Sequence, residues 1–281
     1  MQHLSQNQVL ILGSGTSTGV PMSVCECAVC TSTNPKNKRL RTSIFLKTKK
    51  GKQVLIDTTP DFRYQSLKYK IKHIDFVIIT HDHADHIHGI DDLRPFCFLS
   101  SKKVIPIYTT QKCANNLKER FPYIFQKDKL YSTDRPVLGG GIPSLELKII
   151  DDFSKPTIIE NEIFEFFEFP HGYGTTLGLI HETLGFVTDI HEFNPKQLKK
   201  FKNKKLDIMI LDCIRKGTHD THLTLERALP YLETINAKFS GLIHIAHQLD
   251  HEELTQELIE KYGNENILPL YDGQTLSYKS F

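Results

Sequence analysis

The sequence lacks the long apolar runs and the strong net charge that mark several large classes of protein. No stretch approaches the roughly 20 apolar residues of a membrane-spanning helix, so no membrane association is expected. The polar start, Met1–Gln8, has no charged end followed by an apolar run and a cleavage site, which predicts no secretory signal and a cytoplasmic location. With 35 Lys+Arg against 33 Asp+Glu, the formal net charge is +2. That balance predicts no long electrostatic track for duplex nucleic acid, while a small anionic substrate remains compatible with it.

Linkers, internal repeats and low-complexity tracts are also missing from the 281 residues. The 39% hydrophobic content is enough for a full core, so we predict a single domain over residues 1–281. The glycine-rich stretch Gly13–Pro21 follows the first apolar run, but it matches neither G-x-G-x-x-G nor a P-loop. We interpret it as a tight turn and not as a phosphate-binding loop.

Short apolar runs rich in β-branched residues alternate with segments of helical spacing. The runs predict strands. They lie at 9–12, 43–46, 54–56, 76–80, 163–169, 184–188, 208–211 and 242–245. Helices are predicted at 111–120, 195–201, 223–234 and 251–262. This mixture is typical of an α/β or α+β protein with large sheets.

The strongest signal for chemistry is the string His81-Asp82-His83-Ala84-Asp85-His86, directly after the predicted strand. In extended backbone His81 and His83 point to one side, and a helical turn near Asp85 lets Asp85 and His86 face a neighbouring position. One loop can therefore serve two adjacent cations. Imidazole and carboxylate suit zinc, manganese or iron, and two such ions can clamp a displacement at phosphorus. A polar surface loop is the alternative, and this demanding spacing disfavours it.

This string resembles the signature of metallo-β-lactamase-fold hydrolases, which implies a four-layer αββα sandwich. Three later positions are similar to the family's further ligands: His171 after an apolar run, Asp189 at a strand end, and His244. Taken singly, each is more typical of a structural residue. The resemblance implies the following ligand sets: His81, His83 and His171 for one metal; Asp85, His86 and His244 for the second; and Asp189 shared between them. Asp57, which resembles the family's strand-end aspartate, would support a ligand histidine from behind, with a helix N-cap as the competing role.

Cys25, Cys27 and Cys30 lie within six residues, whereas the other three cysteines are scattered. In a chain without a secretory signal this spacing favours metal binding over disulfides. A closed zinc site needs a fourth ligand, and His247 is the candidate. His244 and His247 are three residues apart, so on a strand their imidazoles would point to opposite sides. One would serve the catalytic pair and the other a structural zinc. Three reduced, buried cysteines are the alternative.

The pairing of Cys-x-Cys-x-x-Cys with His-x-x-His strongly resembles the PhnP-type phosphodiesterases, from Gly13 to about Asp272. The resemblance implies action on a cyclic ribosyl phosphate. It also implies a catalytic histidine within 218–226, for which His222 is the better match and His219 the fallback. An imidazole there could steady the phosphorane or protonate the departing alkoxide, with Asp85 as the other catalytic residue. Helix capping is the alternative role for either histidine.

The resulting hypothesis is a phosphodiesterase in which a metal-bridging hydroxide attacks a small cyclic or linear phosphodiester. Its cofactors would be two divalent ions, zinc or manganese, plus one structural zinc. A nucleic-acid partner is not expected, and a homodimer is compatible with the sequence. The alternatives are a tRNA 3′-end endonuclease, a PqqB-like protein of cofactor biosynthesis, and a non-catalytic zinc-stabilised binding module. The native substrate, the metal identity and the oligomeric state stay open at this stage.

Overall fold

The computed structural model describes residues 6–99, 104–136, 141–263 and 265–280. Within these ranges the chain forms two seven-stranded sheets. The first sheet contains β1 (Asn7–Gly13), β2 (Ser43–Lys47), β3 (Gln53–Ile56), β4 (Phe76–Ile78), β5 (Ile105–Thr109), β6 (Leu145–Ile149) and β14 (Thr275–Tyr278). The second contains β7 (Thr157–Ile159), β8 (Glu162–His171), β9 (Gly174–His181), β10 (Leu184–Val187), β11 (Ile208–Asp212), β12 (Phe239–Ile243) and β13 (Ile267–Pro269).

The two sheets follow the same plan. The first has the order β14-β1-β2-β3-β4-β5-β6, and the second, read from its other edge, has the order β7-β8-β9-β10-β11-β12-β13. In each, the first three pairings are antiparallel and the last three are parallel. Parallel strands end at a common edge, where ligands bind in many α/β proteins. The loops that leave these edges are therefore the expected place for a site.

The core between the sheets follows from the alternation of side chains along each strand. On β3, Val54 and Ile56 pack into the layer between the sheets, whereas Leu55 packs on the outer face. Phe186 of β10 and Ile210 of β11 meet this inner layer from the second sheet. The continuous apolar runs seen in the sequence are thus strands that are covered on both faces.

Helices cover both outer faces. Those on the first sheet are α2 (Phe62–Lys68), α3 (Ala84–Ile87), α4 (Arg94–Leu99), α5 (Gln111–Arg120) and α6 (Pro122–Phe125). Those on the second are α8 (Pro195–Asn203), α9 (Leu225–Ile235) and α10 (His251–Tyr262). The remaining short helices are α1 (Ala28–Thr31), α7 (Lys127–Leu130) and the 3-10 turns Pro35–Asn37 and Ile90–Leu93. The predicted four-layer αββα sandwich is confirmed, while the single domain stays a prediction.

The strands differ from the sequence-based expectation in their bounds and in their number. The predicted strand 242–245 begins earlier and ends at Ile243, so His244 lies outside it. Six strands of the described ranges were not predicted: β5, β6, β7, β9, β13 and β14. In β9, glycines obscure the strand pattern. Gly178 is needed there, since a Cβ atom would come within 2.5 Å of the Phe169 ring. In the part of the chain that the structure describes, no helix combines the length and apolar character required to cross a membrane.

Candidate metal centre and active site

The histidine-aspartate string lies at the carboxyl end of β4 and changes backbone conformation in its middle. His83 is extended, with φ −68° and ψ 149°, and is the N-cap residue of α3. Asp85 and His86 belong to α3 and are buried, whereas His83 is exposed. The extended-then-helical backbone expected from the sequence is therefore present, and it turns the two halves of the string toward different positions.

The structure brings His81, His83 and His171 together. One ring nitrogen from each lies within 4.8 Å of the others. His171 is the last residue of β8, and its Nε2 lies 3.1 Å from Nδ1 of His83. On the other side of the ring, Nδ1 of His171 donates to the carbonyl oxygen of Thr221 at 3.1 Å. The His171 ring is thus fixed from behind, as is common for metal-binding imidazoles.

A second group, entirely buried, contains Asp85, His86, Asp189 and His244. His86 Nε2 lies 3.2 Å from Asp85 Oδ2 and 3.3 Å from Asp189 Oδ2. The other oxygen of Asp189 lies 3.9 Å from His81 Nε2. Asp189 therefore stands between the two groups, in the position that a shared ligand requires.

The donors in both groups fit divalent cations. Among the described residues, the buried Nε2 atom of His81 has no hydrogen-bond partner, an arrangement that is costly unless another species binds there. His86 Nε2 is close to two carboxylates but forms no well-aligned hydrogen bond with either. Burial lowers the pKa of His81 well below its ordinary value, which keeps the imidazole neutral as a ligand must be. Burial also opposes the charge on His86, but the carboxylates of Asp189, Asp85 and Asp57 outweigh it and raise the pKa. A cation among these carboxylates would take the place of that proton.

Asp57 lies directly behind this group. Its Oδ2 accepts a hydrogen bond from His86 Nδ1 at 2.8 Å. The backbone N–H and the hydroxyl of Thr80 donate to the two oxygens of Asp57, at 2.8 and 2.9 Å. The competing N-cap role does not apply, because Asp61 is the residue that precedes α2. The position suits a carboxylate that orients a ligand histidine.

Three residues of this region, each just after a strand, have a strained backbone. Asp57, Asp189 and His244 have φ values of 64°, 57° and 63°. Such left-handed conformations cost about 1–3 kcal/mol each for residues other than glycine. His244 Nδ1 lies 3.5 Å from Asp189 Oδ2, and the hydroxyls of Thr42 and Thr16 lie within 3.0 and 3.1 Å of its two ring nitrogens. Asp189 and His244 thus belong to the second group itself, whereas Asp57 supports that group from behind His86.

His222 lies at the edge of the two groups. Its Nδ1 donates to Asp212 Oδ2 at 3.3 Å, and its Nε2 lies 3.9 Å from Asp189 Oδ1. The ring stacks on His244, with centroids 4.9 Å apart and an interplanar angle of 12°. Burial opposes its charge, but Asp212 outweighs burial and raises the pKa of His222 to about 9. His222 would therefore carry a proton at neutral pH.

His219, the fallback for His222, has a different environment. Its Nδ1 accepts the backbone N–H groups of Thr221 and His222 at 3.3 and 3.2 Å. It therefore shapes the loop that presents His222. Neither histidine caps α9, whose N-cap residue is Thr224. Asp212 was missed by the sequence analysis, although it ends an apolar strand just as Asp57 follows one.

The three cysteines of the early loop converge on His247. Nδ1 of His247 lies 3.3, 3.4 and 3.6 Å from the sulfur atoms of Cys25, Cys27 and Cys30. None of the six cysteines, all within the described residues, forms a disulfide. The backbone N–H of Cys30, together with His247, lowers the pKa of Cys27 to about 6, which favours the thiolate. Three thiols and one imidazole are a donor set typical of structural zinc.

The reason given for the opposite directions of His244 and His247 was wrong. Both residues follow β12, so strand alternation does not separate them. His244 adopts a left-handed conformation, Ile245 then pairs with Gly15, and His247 lies in the next turn. The left-handed residue at the strand end interrupts the alternation of side chains, and the two imidazoles lie in different groups.

A buried arginine and the glycine stretch hold this turn. Arg39 donates through Nη1 to the carbonyl of Ala246 at 3.0 Å and through Nη2 to that of Leu249 at 2.7 Å. Gly13 lies so close to the neighbouring backbone that a Cβ atom would be 2.0 Å from the carbonyl oxygen of Arg41. The tight turn predicted for Gly13–Pro21 lies at its centre, where the N–H of Gly19 donates to the carbonyl of Thr16 at 2.8 Å.

Residues 52–245 match the family model described as the β-lactamase superfamily domain. A solved diphosphatase of the PhnP family superposes with a TM-score of 0.85 at 33% identity, over 98% of this chain and 99% of that protein. Zinc-bound PqqB from Methylobacterium extorquens gives 0.74 at 17% identity, over 96% and 99% of the two chains. The short form of human tRNase Z gives 0.63 at 16% identity, over 96% and 98%. The last two likenesses show the fold alone.

A curated relative has a different kind of name. The chain is 33% identical, over 252 residues, to an octanoyltransferase from Porphyromonas gingivalis. The match covers 89% of this chain but 48% of that protein. The chain thus spans about half the length of this relative, and the other half has no counterpart in the match.

Proposed function

Because the chain belongs to the β-lactamase superfamily, we propose that it is a metal-dependent phosphodiesterase acting on a small cyclic or linear phosphodiester. The observation that carries the proposal is the convergence of seven donors into two groups that meet at Asp189. The full-length likeness to a PhnP-family diphosphatase supports phosphorus as the reacting centre. A binding module without catalysis would have no need of so complete a set.

The residues that would hold the metals follow from the two groups. His81, His83 and His171 would bind one divalent ion; Asp85, His86 and His244 would bind the second; Asp189 would be shared. Zinc and manganese both accept imidazole and carboxylate ligands. When bound, such ions neutralise charge on phosphoryl oxygens and provide a nucleophile at neutral pH.

His222 would act on the leaving group. Its Nδ1–H is held by Asp212, so the ring presents Nε2 toward the Asp189 side of the site. With its pKa raised to about 9, the imidazole keeps the Nε2 proton at neutral pH and can donate it to a departing alkoxide. A second role is also open, because His222 lies within 4.8 Å of His171 and Asp189 and could itself bind a metal. Metal analysis separates the two roles.

We do not propose octanoyl transfer as the activity of this chain. The relative with that name is about twice as long, so its activity can reside in the half outside the match. The two convergent groups here are metal-binding donors. The human tRNase Z and PqqB structures share the fold at 16% and 17% identity. The test below therefore includes the tRNA endonuclease and PqqB-like alternatives as possible outcomes.

The test combines metal analysis of the purified protein with a substrate panel. The panel contains ribosyl cyclic phosphate, cyclic nucleotides, bis(p-nitrophenyl) phosphate, a diphosphate and a precursor tRNA. We expect turnover of at least one small diester, abolished in Asp189→Ala. The control is His73→Ala, which removes a histidine paired with Asp75 outside both groups. Turnover of precursor tRNA alone, or of no phosphate ester by metal-loaded protein, would contradict the proposal.

A further inference from the structure

The hairpin between β8 and β9 places an aromatic residue next to the candidate active site. His171 pairs with Gly174, so the connection consists of Gly172 and Tyr173 alone. Gly172 has φ 54°, the left-handed value that two-residue hairpins require at this position. Tyr173 is therefore held two residues from a proposed metal ligand by one of the tightest connections available to a chain.

The side chain of Tyr173 does not pack against the protein interior. Its relative exposure is 108%, whereas Phe169, four residues earlier on β8, is completely buried. A single exposed aromatic residue is common on protein surfaces and proves nothing by itself. Tyr173 differs from the other exposed aromatic and aliphatic residues in its position. Among the exposed large hydrophobic side chains of the described ranges, Tyr173 alone lies within two residues in sequence of a member of the two donor groups that meet at Asp189.

The backbone that carries the ring is fixed on two sides. Lys112 of α5 donates through Nζ to the carbonyl oxygen of Tyr173 at 3.3 Å. Four residues along the same helix, Asn116 donates to Asp82 of the metal loop at 2.6 Å. On the other side, His171 is tied to the carbonyl of Thr221, in the loop that presents His222. The backbone of Tyr173 is thus held in place before a ligand binds, which limits the entropy lost on binding to that of the side chain.

The distance suits one part of a diester substrate. Two chain steps span at most about 7 Å, so the Cα atoms of Tyr173 and His171 lie within that distance of each other. A reacting phosphorus near His171 would bring the group attached through its ester oxygen into the reach of Tyr173. The exposed face of His83 leaves this side of the site open to solvent.

We propose that Tyr173 is a specificity-determining residue that stacks on a planar aromatic substituent of the diester, a nucleobase or an aryl group. This inference rests on the proposed phosphodiesterase function and names the substrate class within it. A tyrosine face contributes contact area whatever the identity of the base. The preference would be for aromatic over aliphatic substituents, with little discrimination among bases.

Kinetics with paired substrates test the proposal. A cyclic nucleotide and a ribosyl cyclic phosphate without a base are compared for the wild type, Tyr173→Ala and Tyr173→Phe. One-sided stacking predicts that Tyr173→Ala raises KM for the nucleotide by about 5- to 30-fold, without changing KM for the base-free substrate. Tyr173→Phe should retain the wild-type KM. The matched control is Tyr64→Ala, which removes an exposed tyrosine of α2.

The absence of tryptophan from the sequence allows a second readout without turnover. Tyr173→Trp introduces a single fluorophore, which should be quenched by adenosine 5′-monophosphate and not by ribose 5-phosphate. Equal KM changes for both substrates, or equal quenching by both ligands, would overturn the inference while the phosphodiesterase function stood. If the wild type hydrolysed no diester, the proposed function would fail, and the fluorescence titration alone would then decide the role of Tyr173.

Discussion

Asp57 and His86 form a hydrogen bond of 2.8 Å in which neither side chain has any exposure to solvent. A carboxylate in this setting would normally be costly, and burial indeed raises the pKa of Asp57. The cost is offset because the imidazole and Thr80 satisfy both carboxylate oxygens. The role that suits this pair is therefore to fix the ring of a proposed metal ligand, and not to stabilise the fold.

The first prediction concerns this pair. Asp57→Asn keeps the size of the side chain but removes the charge that holds His86 Nδ1–H. Loss of such a supporting carboxylate typically costs about 10- to 100-fold in metal affinity or activity. We expect a decrease of this order in kcat/KM and in metal affinity, measured by competition with a chelating dye. Asp151→Asn, at an exposed position, is the control, and an unchanged metal affinity in Asp57→Asn would remove its supporting role.

The second prediction separates proton donation from metal binding at His222. His222→Ala should lower kcat by about 100- to 10,000-fold for a diester with an alkoxide leaving group. The loss should be smaller for bis(p-nitrophenyl) phosphate, since nitrophenolate departs without a proton. Metal content should stay at the wild-type value. A fall in metal content with equal losses for both substrates would instead assign His222 as a ligand.

Asp212→Asn provides the matched variant for this experiment. It leaves the imidazole in place and removes the carboxylate that raises the pKa of His222. We expect a partial loss of kcat that is again larger for the alkoxide leaving group. A wild-type kcat in Asp212→Asn would show that the Asp212–His222 hydrogen bond has no part in proton transfer.

The third prediction concerns the cysteine site. Cys27→Ser should remove one zinc ion per chain and lower the melting temperature, because structural zinc contributes folding free energy directly. Atomic absorption and thermal unfolding measure the two effects. Cys97→Ser, at a buried cysteine of α4 outside the site, is expected to affect stability without changing the zinc content. Equal zinc content in both variants would contradict the structural-zinc assignment.

The fourth prediction concerns Arg39, which is buried and donates to the carbonyls on both sides of His247. Arg39→Met fills similar space but leaves these carbonyls without partners. An unsatisfied buried polar group costs about 1–3 kcal/mol, so two of them should lower the free energy of unfolding by about 2–6 kcal/mol. Urea unfolding checks this value, with the exposed Lys47→Met as the control. A change below about 0.5 kcal/mol, the usual range for surface substitutions, would show that the carbonyls find other partners.

The sequence predicted the parts of the molecule that are encoded locally. Most strands covered on both faces were visible as apolar runs, and the spacing of the metal loop indicated both its backbone and its chemistry. The ends of elements were less accurate, because β12 stops at a left-handed residue that no local pattern announces. The strand β9 was not predicted because it contains glycine, which the close packing against Phe169 requires at position 178.

Contacts between distant segments explain the rest of what was missed. Asp212 and His222 are ten residues apart, and their pairing depends on the loop path after β11. Thr16 and Thr42 reach His244 across more than 200 positions of sequence. In the sequence, neither threonine can be distinguished from an ordinary loop residue, because its contact with His244 exists only in the folded structure. The chemical class of the site was therefore accessible from the sequence, whereas its supporting hydrogen bonds were not.

Both proposed metal sites draw their donors from both sheets. Loops of the first sheet carry the three cysteines and the string 81–86, and strand ends and loops of the second carry His171, Asp189, His244 and His247. Bound ions would therefore act as cross-links between the two halves of the sandwich, at an edge where few backbone hydrogen bonds, such as that from Ile245 to the carbonyl of Ser14, join the described segments. Stripping the metals should make the sheets separate in distinct unfolding steps, whereas the loaded protein should unfold as one cooperative unit.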